Sequence, residues 1–253
     1  MTVRSGGSTL APALWDVDAV VLDTDGVITD SARVHAAAWK DAFDAFLSEH
    51  PPQDPTQRRP FDIRADYLPY VDGRSRLDGA AAFLASRGLD PSAETVRAVA
   101  ADKERLFTAR LRENGVDVYP GTVRLVHALR RAGKSVAAAS ASRHARELLT
   151  RAGVLELFHA LVDGGEAARL ELPGKPHPDL FLEAARRLGV PPDRAAVVED
   201  ALAGVEAGRS GGFALVVGVD RTDSAGTRAG LARHGADMVV TDLGELLAAG
   251  APQ

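Results

Sequence analysis

Asp18-Ala19-Val20-Val21-Leu22-Asp23-Thr24-Asp25-Gly26-Val27 is a short apolar run that ends in two aspartates one residue apart. Its valine-rich core reads as a strand buried on both faces in a parallel sheet, with carboxylates delivered to the C-terminal edge. In open α/β sheets that edge is where ligands sit. Taken alone, Asp-Gly is also an ordinary turn dipeptide, and short motifs match by chance. The weight therefore falls on what the rest of the chain brings to the same edge.

Downstream, the spacing predicts a helix over residues 31–48, with Val34, Ala38, Ala42 and Phe46 on one face and His35 and Trp39 on the next. Pro51, Pro52, Pro55 and Pro60 then break the chain into a loop. The loop Asp72-Gly73-Arg74-Ser75-Arg76 precedes a helix that stops at Gly88, and Asp90-Pro91-Ser92 opens another. No strand-like run occurs in this block. From Val118 the alternation returns. Helices are expected over 120–133, up to 152, through 188 and over 201–210. Strands are expected over 135–139, 159–162, 195–198, 213–217 and 238–240. Strands alternating with helices imply βαβ units and a parallel sheet. The expected fold class is α/β: a Rossmann-like core from residues 1–30 and 117–253, interrupted by an α-helical cap over 31–116.

Composition narrows the function classes. A net charge of −5 leaves no basic footprint for nucleic acid. The absence of cysteine excludes disulfides, thiolate nucleophiles and sulfur metal sites. No apolar run reaches membrane length. Residues 1–13 carry one arginine and no apolar core, so they read as a disordered lead-in and not as a secretory signal. A cytoplasmic monomer is expected, without membrane or nucleic-acid partners.

Three strand ends carry polar groups: Asp23 and Asp25, Ser140, and Glu199 with Asp200, while Lys175 lies just before a helix. Right-handed crossovers put these ends on one edge of the sheet. Crowded carboxylates need a cation, and hard oxygen donors select Mg²⁺. Lys175 and Ser140 offer positive charge and a hydroxyl to phosphoryl oxygens. A carboxylate beside Mg²⁺ can attack phosphorus, and a second can serve as general acid and base. Singly, each residue has a plainer reading: a strand-end cap for Ser140, a solvated lysine, a helix-capping Glu199-Asp200 pair. Their shared order and topology favour phosphoryl chemistry.

These motifs resemble the haloacid dehalogenase superfamily of phosphotransferases. The four signatures read Asp23-Thr24-Asp25-Gly26-Val27, Ser140, Lys175 and Glu199-Asp200, and the helical insert resembles that superfamily's small cap. Within it, the likeness is to the β-phosphoglucomutase family. It rests on the run from Asp23 to Ser31 with His35, Trp39 and Lys40, on Gly73-Arg74-Ser75-Arg76, on Lys103, on Val118-Tyr119-Pro120-Gly121 and on Ser140-Ala141-Ser142. The resemblance implies that Asp23 is the nucleophile and Asp25 the general acid and base. Asp23, the Asp25 backbone carbonyl, Glu199 and Asp200 would hold Mg²⁺. Ser140, Ala141 and Lys175 would bind the transferring phosphoryl group. His35, Trp39 and Lys103 would face the sugar. Gly73 and Arg76 of the cap, with Ser142, Arg143 and His144, would hold a second, non-reacting phosphate. The implied activity is Mg²⁺-dependent interconversion of β-glucose 1-phosphate and glucose 6-phosphate through an aspartyl-phosphate enzyme and a 1,6-bisphosphate. A phosphatase acting on a phosphorylated hexose is the alternative. A non-enzymatic phospho-receiver ranks last, because it has no use for a long helical insert. The chain departs from the family pattern at Thr24, at Gly79, at Arg143-His144 and in the proline-rich loop over 50–60.

Overall fold

The computed structural model describes residues 10–72 and 74–248. Six parallel strands form one sheet: β1 (Ala19–Asp23), β2 (Ser135–Ala139), β3 (Ala160–Val162), β4 (Ala195–Glu199), β5 (Leu215–Val219) and β6 (Met238–Val240), in the order β3-β2-β1-β4-β5-β6. The opening stretch thus becomes a central strand, fully buried, between β2 and β4. Leu22 lies opposite Val198, so Asp23 and Glu199 emerge at adjoining strand ends.

Side chains alternate across the sheet with period two. Val20, Leu22, Val136, Ala138 and Val198 point into one apolar layer, shared with Leu125 and Leu129 of the helix Pro120–Arg131. Ala19, Val21, Ala137, Ala139 and Val197 point into the other, shared with Phe181 and Ala184 of the helix Asp179–Leu188. Burial on both faces explains why these strands read as continuous apolar runs.

Between β1 and β2 the chain is helical: α1 (Ala32–Glu49), α2 (Tyr67–Tyr70), α3 (Arg76–Ser86) and α4 (Ala93–Asn114). These elements have their own apolar centre. Phe43 stacks near Phe83 at 4.0 Å and Phe61 at 5.1 Å between ring centroids, with Leu47 and Val99 around them. A smaller cluster of Ala38, Phe107 and Leu111 meets Leu148 of the core. The two connections to the core run side by side. Thr29 bridges Val118, and the Asp30 amide donates to the Asp117 carbonyl at 2.8 Å.

The proline-rich loop is pinned by a buried charge cluster. Asp66 accepts from Arg87 at 2.7 Å and from both terminal nitrogens of Arg59. Arg87 also donates to the carbonyls of Gln57 and Arg59. Asp66 and Arg87 are only 1% and 2% exposed. Removing one partner of such a pair strands the other charge in a dry setting. Asp66→Ala is therefore expected to destabilise the insert by about 3–5 kcal/mol, read as a lowered urea midpoint. An unchanged midpoint would show that the cluster contributes nothing.

Three expectations need correction. Leu10 is buried and pairs antiparallel with Leu247, and Pro12–Leu14 form a 3₁₀ turn, so residues 10–13 are ordered. The remainder of the expected lead-in lies outside the described residues. The strand expected over 213–217 begins at Leu215. Phe213 is instead a buried plug against Phe181, and the Ala214 amide donates to the Pro192 and Ala195 carbonyls. Two short helices had not been anticipated. Gly164–Arg169 is capped by Asp163, which accepts from the amides of Gly165 and Glu166, and Ala225–Arg233 is capped by Ser224.

Candidate active site

The C-terminal edge of the sheet faces the helical insert across a cleft of about 420 Å³. At its floor, Asp23 is held from two sides. Its Oδ2 accepts from the Asp25 amide at 2.9 Å, and its Oδ1 accepts from Lys175 Nζ at 2.6 Å. Lys175 also donates to Glu199, whose other oxygen accepts from the Ala201 amide at 2.6 Å. Asp23, Glu199 and Asp200 each offer a carboxylate oxygen, and these atoms lie within 4.8 Å of one another. Burial, with the Glu199 and Asp25 charges, pushes Asp23 up to about 8 against the pull of Lys175. Burial, then Asp72, Glu199 and Asp23, push Asp200 well above the usual carboxylate range. Lys175 is buried too, yet Asp23 and Glu199 raise it above an ordinary lysine.

One ammonium does not balance this many carboxylates, so the cluster fits a hard divalent cation such as Mg²⁺. The backbone leaves room at this point. Gly26 has φ of +79°, and a β-carbon there would stand 1.8 Å from Asp200 Oδ2. Only glycine serves, both for its left-handed backbone and for this close approach.

Asp25 faces the opposite wall. Ser31 donates to its Oδ1, and His35 Nε2 lies 3.4 Å from the same oxygen. Lys103 Nζ contacts His35 Nδ1 at 2.8 Å. An ammonium can only donate, so Nδ1 accepts and the imidazole proton is assigned to Nε2, toward Asp25. Phe107 backs this pair, stacked on His35 at 4.0 Å and under Lys103 at 4.4 Å. Burial lowers His35, reinforced by Lys103. Burial also pushes Lys103 down to about 7, against the attraction of Asp25. Asp25 ends at about 2: burial pushes it up, but His35, Ser31 and Lys103 together outweigh that. At neutral pH Asp25 is a carboxylate.

The cleft is also lined by Arg76 and Glu104 of the insert and by Ala141, Ser142, Arg143 and His144 of the core. Glu104 contacts Arg76 and His144 at once. Burial and the nearby Arg143 hold the Arg76 guanidinium below an ordinary arginine. Burial lowers His144 as well, opposed by Glu147 and aided by Lys103 and Arg76.

Of the residues singled out from the sequence, Asp23, Asp25, His35, Trp39, Arg76, Lys103, Ala141, Ser142, Arg143, His144, Lys175, Glu199 and Asp200 all line this one cleft. Ser140 does not. It is fully buried, its amide donates to the Val162 carbonyl, and its hydroxyl accepts from the Ser142 amide at 3.1 Å, shaping the turn beneath the cleft. Gly73 lies outside the described residues. Sequence reasoning missed Ser31 as the partner of Asp25 and Glu104 as the bridge. Ser31 opens the expected helix and carries no charge to mark it as a partner, and no motif marks Glu104.

A sheet edge that sets clustered carboxylates against one buried lysine, under a helical roof, belongs to an enzyme that moves phosphoryl groups. Residues 17–212 match the haloacid dehalogenase-like hydrolase family. A β-phosphoglucomutase of Mycobacterium bovis is 46% identical over 240 residues, covering 91% of this chain and 92% of that one. A β-phosphoglucomutase of Bacillus subtilis is 34% identical, covering 90% and 91%. Among solved structures, a β-phosphoglucomutase from Clostridium difficile superposes with a TM-score of 0.69 at 25% identity, covering 91% of this chain and 93% of that one. The chain belongs to the haloacid dehalogenase-like hydrolase family, as a phosphotransferase enzyme of β-phosphoglucomutase likeness.

Proposed function

We propose that this enzyme is a Mg²⁺-dependent β-phosphoglucomutase, interconverting β-glucose 1-phosphate and glucose 6-phosphate. The observation that carries the reading is that one cleft holds two cationic sets. Lys175 stands beside Asp23, and Arg76, Arg143 and His144 line the same cleft from other elements. A hexose carrying two phosphates needs both sets at once. The relatives named β-phosphoglucomutase support the choice of sugar.

In this reading a sugar hydroxyl gives its proton to the Asp25 carboxylate as it attacks phospho-Asp23, and the phosphorus–oxygen bond to Asp23 breaks. Asp23 Oδ then attacks the other phosphorus of the bisphosphate, the phosphorus–oxygen bond to the sugar breaks, and that oxygen takes the proton back from Asp25. The low pKa of Asp25 suits the first role in the resting enzyme. His35 orients Asp25 through its Nε2 proton, and Lys103 fixes that tautomer. Asp23, Glu199, Asp200 and the Asp25 carbonyl would hold Mg²⁺, which when bound supplies charge for the phosphoryl oxygens. Lys175 supplies the rest from the protein.

Enzyme incubated with Mg²⁺, β-glucose 1-phosphate and a trace of the 1,6-bisphosphate is expected to yield glucose 6-phosphate in excess of free phosphate. EDTA should stop turnover, and added Mg²⁺ should restore it. Free phosphate as the main product would favour the second reading, a sugar-phosphate phosphatase. That alternative has one observation of its own: Glu104 already engages Arg76 and His144.

The division into a core and a cap over 31–116 extends this proposal to motion. Closure excludes water and favours transfer to sugar over hydrolysis. The cap is expected to turn as a body about the paired connections at Thr29–Asp30 and Asp117–Val118. Small-angle scattering should show compaction when the bisphosphate and Mg²⁺ are added. An unchanged radius, with unchanged hydrogen exchange at both connections, would count against it.

A further inference from the structure

Arg221 takes no part in lining the cleft, yet it holds the turn that carries Asp25. It lies just beyond β5, after Asp220. Its neighbour Asp220 is buried and folds the loop tightly, accepting from the Thr222 amide at 3.0 Å, the Thr222 hydroxyl at 2.6 Å and the Ser224 amide at 2.9 Å. The Asp220 amide donates to the Val240 carbonyl at 2.8 Å. This places the Arg221 guanidinium under the Asp25–Val27 turn. Nε donates to the Gly26 carbonyl at 2.8 Å and Nη2 to the Val27 carbonyl at 3.2 Å. Nη1 donates to the Thr241 carbonyl at 3.1 Å and to Asp242 at 3.3 Å. The plane lies over the Tyr119 ring, 3.5 Å from Cζ to the centroid. Tyr119 is itself tied to the connections of the insert: its amide donates to Ile28, and its hydroxyl to Asp30 at 3.0 Å.

We propose that Arg221 is a positioning residue for phosphoryl transfer. It clamps the Gly26 and Val27 carbonyls and so sets where Asp25 presents its carboxylate and its backbone carbonyl. The turn needs such a clamp. Gly26 is in a left-handed conformation and is pressed against Asp200 on its other side. The Val27 carbonyl has a second donor in Thr122 at 2.7 Å, whereas Arg221 is the donor that the described residues supply to the Gly26 carbonyl. A planar fork satisfies several acceptors while stacked on a ring, which a lysine point charge cannot reproduce. Errors of about 1 Å in a catalytic group can cost about 100-fold in rate. The proposal rests on the reading of Asp25 as acid and base.

The test compares wild type with Arg221→Met, which keeps an apolar stem over Tyr119, and with Arg221→Lys. Conversion of β-glucose 1-phosphate with Mg²⁺ and the bisphosphate gives kcat and KM. Steady hydrolysis of acetyl phosphate reads the turnover of phospho-Asp23 without any sugar. For Arg221→Met, kcat is expected to fall on the order of 10- to 100-fold in both assays, with KM for the sugar phosphate within threefold of wild type. Added guanidinium chloride at tens of millimolar should recover part of the loss. Circular dichroism should remain native. Arg221→Lys is expected to be folded and nearly as impaired. If kcat stays within threefold of wild type in either folded variant, the proposal is overturned. A KM rise matching the kcat loss, or no recovery by guanidinium in a folded Arg221→Met, overturns it as well. Should Arg221→Met fail to fold, Arg221→Lys decides alone. Wild type that hydrolyses acetyl phosphate but makes no glucose 6-phosphate defeats the mutase reading only, and the acetyl phosphate comparison still tests Arg221.

Discussion

Asp23→Asn is expected to reduce turnover by on the order of 10⁴-fold or more, because an amide cannot serve as the attacking carboxylate. The same substitution should leave the fold intact. Lys175 keeps its contact with Glu199, and burial and crowding already push the metal-free Asp23 carboxyl up to about 8, so a neutral amide suits that position. The melting temperature of the metal-free protein should therefore hold or rise. Acid-quenched wild type incubated with acetyl phosphate and Mg²⁺ should carry one phosphoryl group, detectable as a mass increase on the peptide containing Asp23. The variant should carry none. Substantial residual activity in the variant would defeat the aspartyl-phosphate mechanism outright.

The second large effect separates mutase from phosphatase and rests on Arg76. This residue opens α3 in the insert and lines the same cleft as Asp23. Loss of a bidentate, charge-assisted grip on the non-reacting phosphate should remove roughly 2–4 kcal/mol of transition-state stabilisation, or about 30- to 1000-fold in rate. Arg76→Ala should thus cut conversion of β-glucose 1-phosphate to glucose 6-phosphate sharply. Acetyl phosphate has no second phosphate to hold, so its hydrolysis should change little. Two activities falling together, or neither falling, would remove Arg76 from the distal phosphate site and put the phosphatase reading ahead. Arg76→Lys should recover only part of the loss, since a point charge lacks the fork.

The core of the fold was legible because strands buried on both faces must be apolar throughout. Ala19 to Leu22 and Ala195 to Val198 announce themselves in this way, and the edge that follows them is fixed by topology. The segment near Phe213 misled for the same reason: a buried aromatic beside a valine run looks like the strand's first residue, and only tertiary packing shows it as a plug. The floor of the site was legible too, since Asp23, Asp25, Lys175, Glu199 and Asp200 sit at element ends where chemistry has few structural substitutes. Glu104 and Arg221 were not. Each acts through contacts at least twenty residues away in sequence, and a charged residue on a helix or loop gives no local sign of its partner. Ser140 shows the converse, a residue marked by pattern whose hydroxyl turns inward to serve its own loop.

The position of β1 in the sheet bears on how the protein is made. Its first residue, Ala19, pairs with Ser135 on one side and Ala195 on the other. Both pairings are far apart along the chain, the kind of contact that slows folding. At about 5–20 residues per second of synthesis, Ala195 leaves the peptidyl transferase centre roughly 10–35 s after Ala19. Throughout that interval this fully buried strand has no second neighbour, and Asp23 waits for Glu199. A nascent chain halted before β4 would expose an open valine edge, a natural client for chaperones. The strand that carries Asp23 emerges first among the six, and it stays open on one side until the fourth.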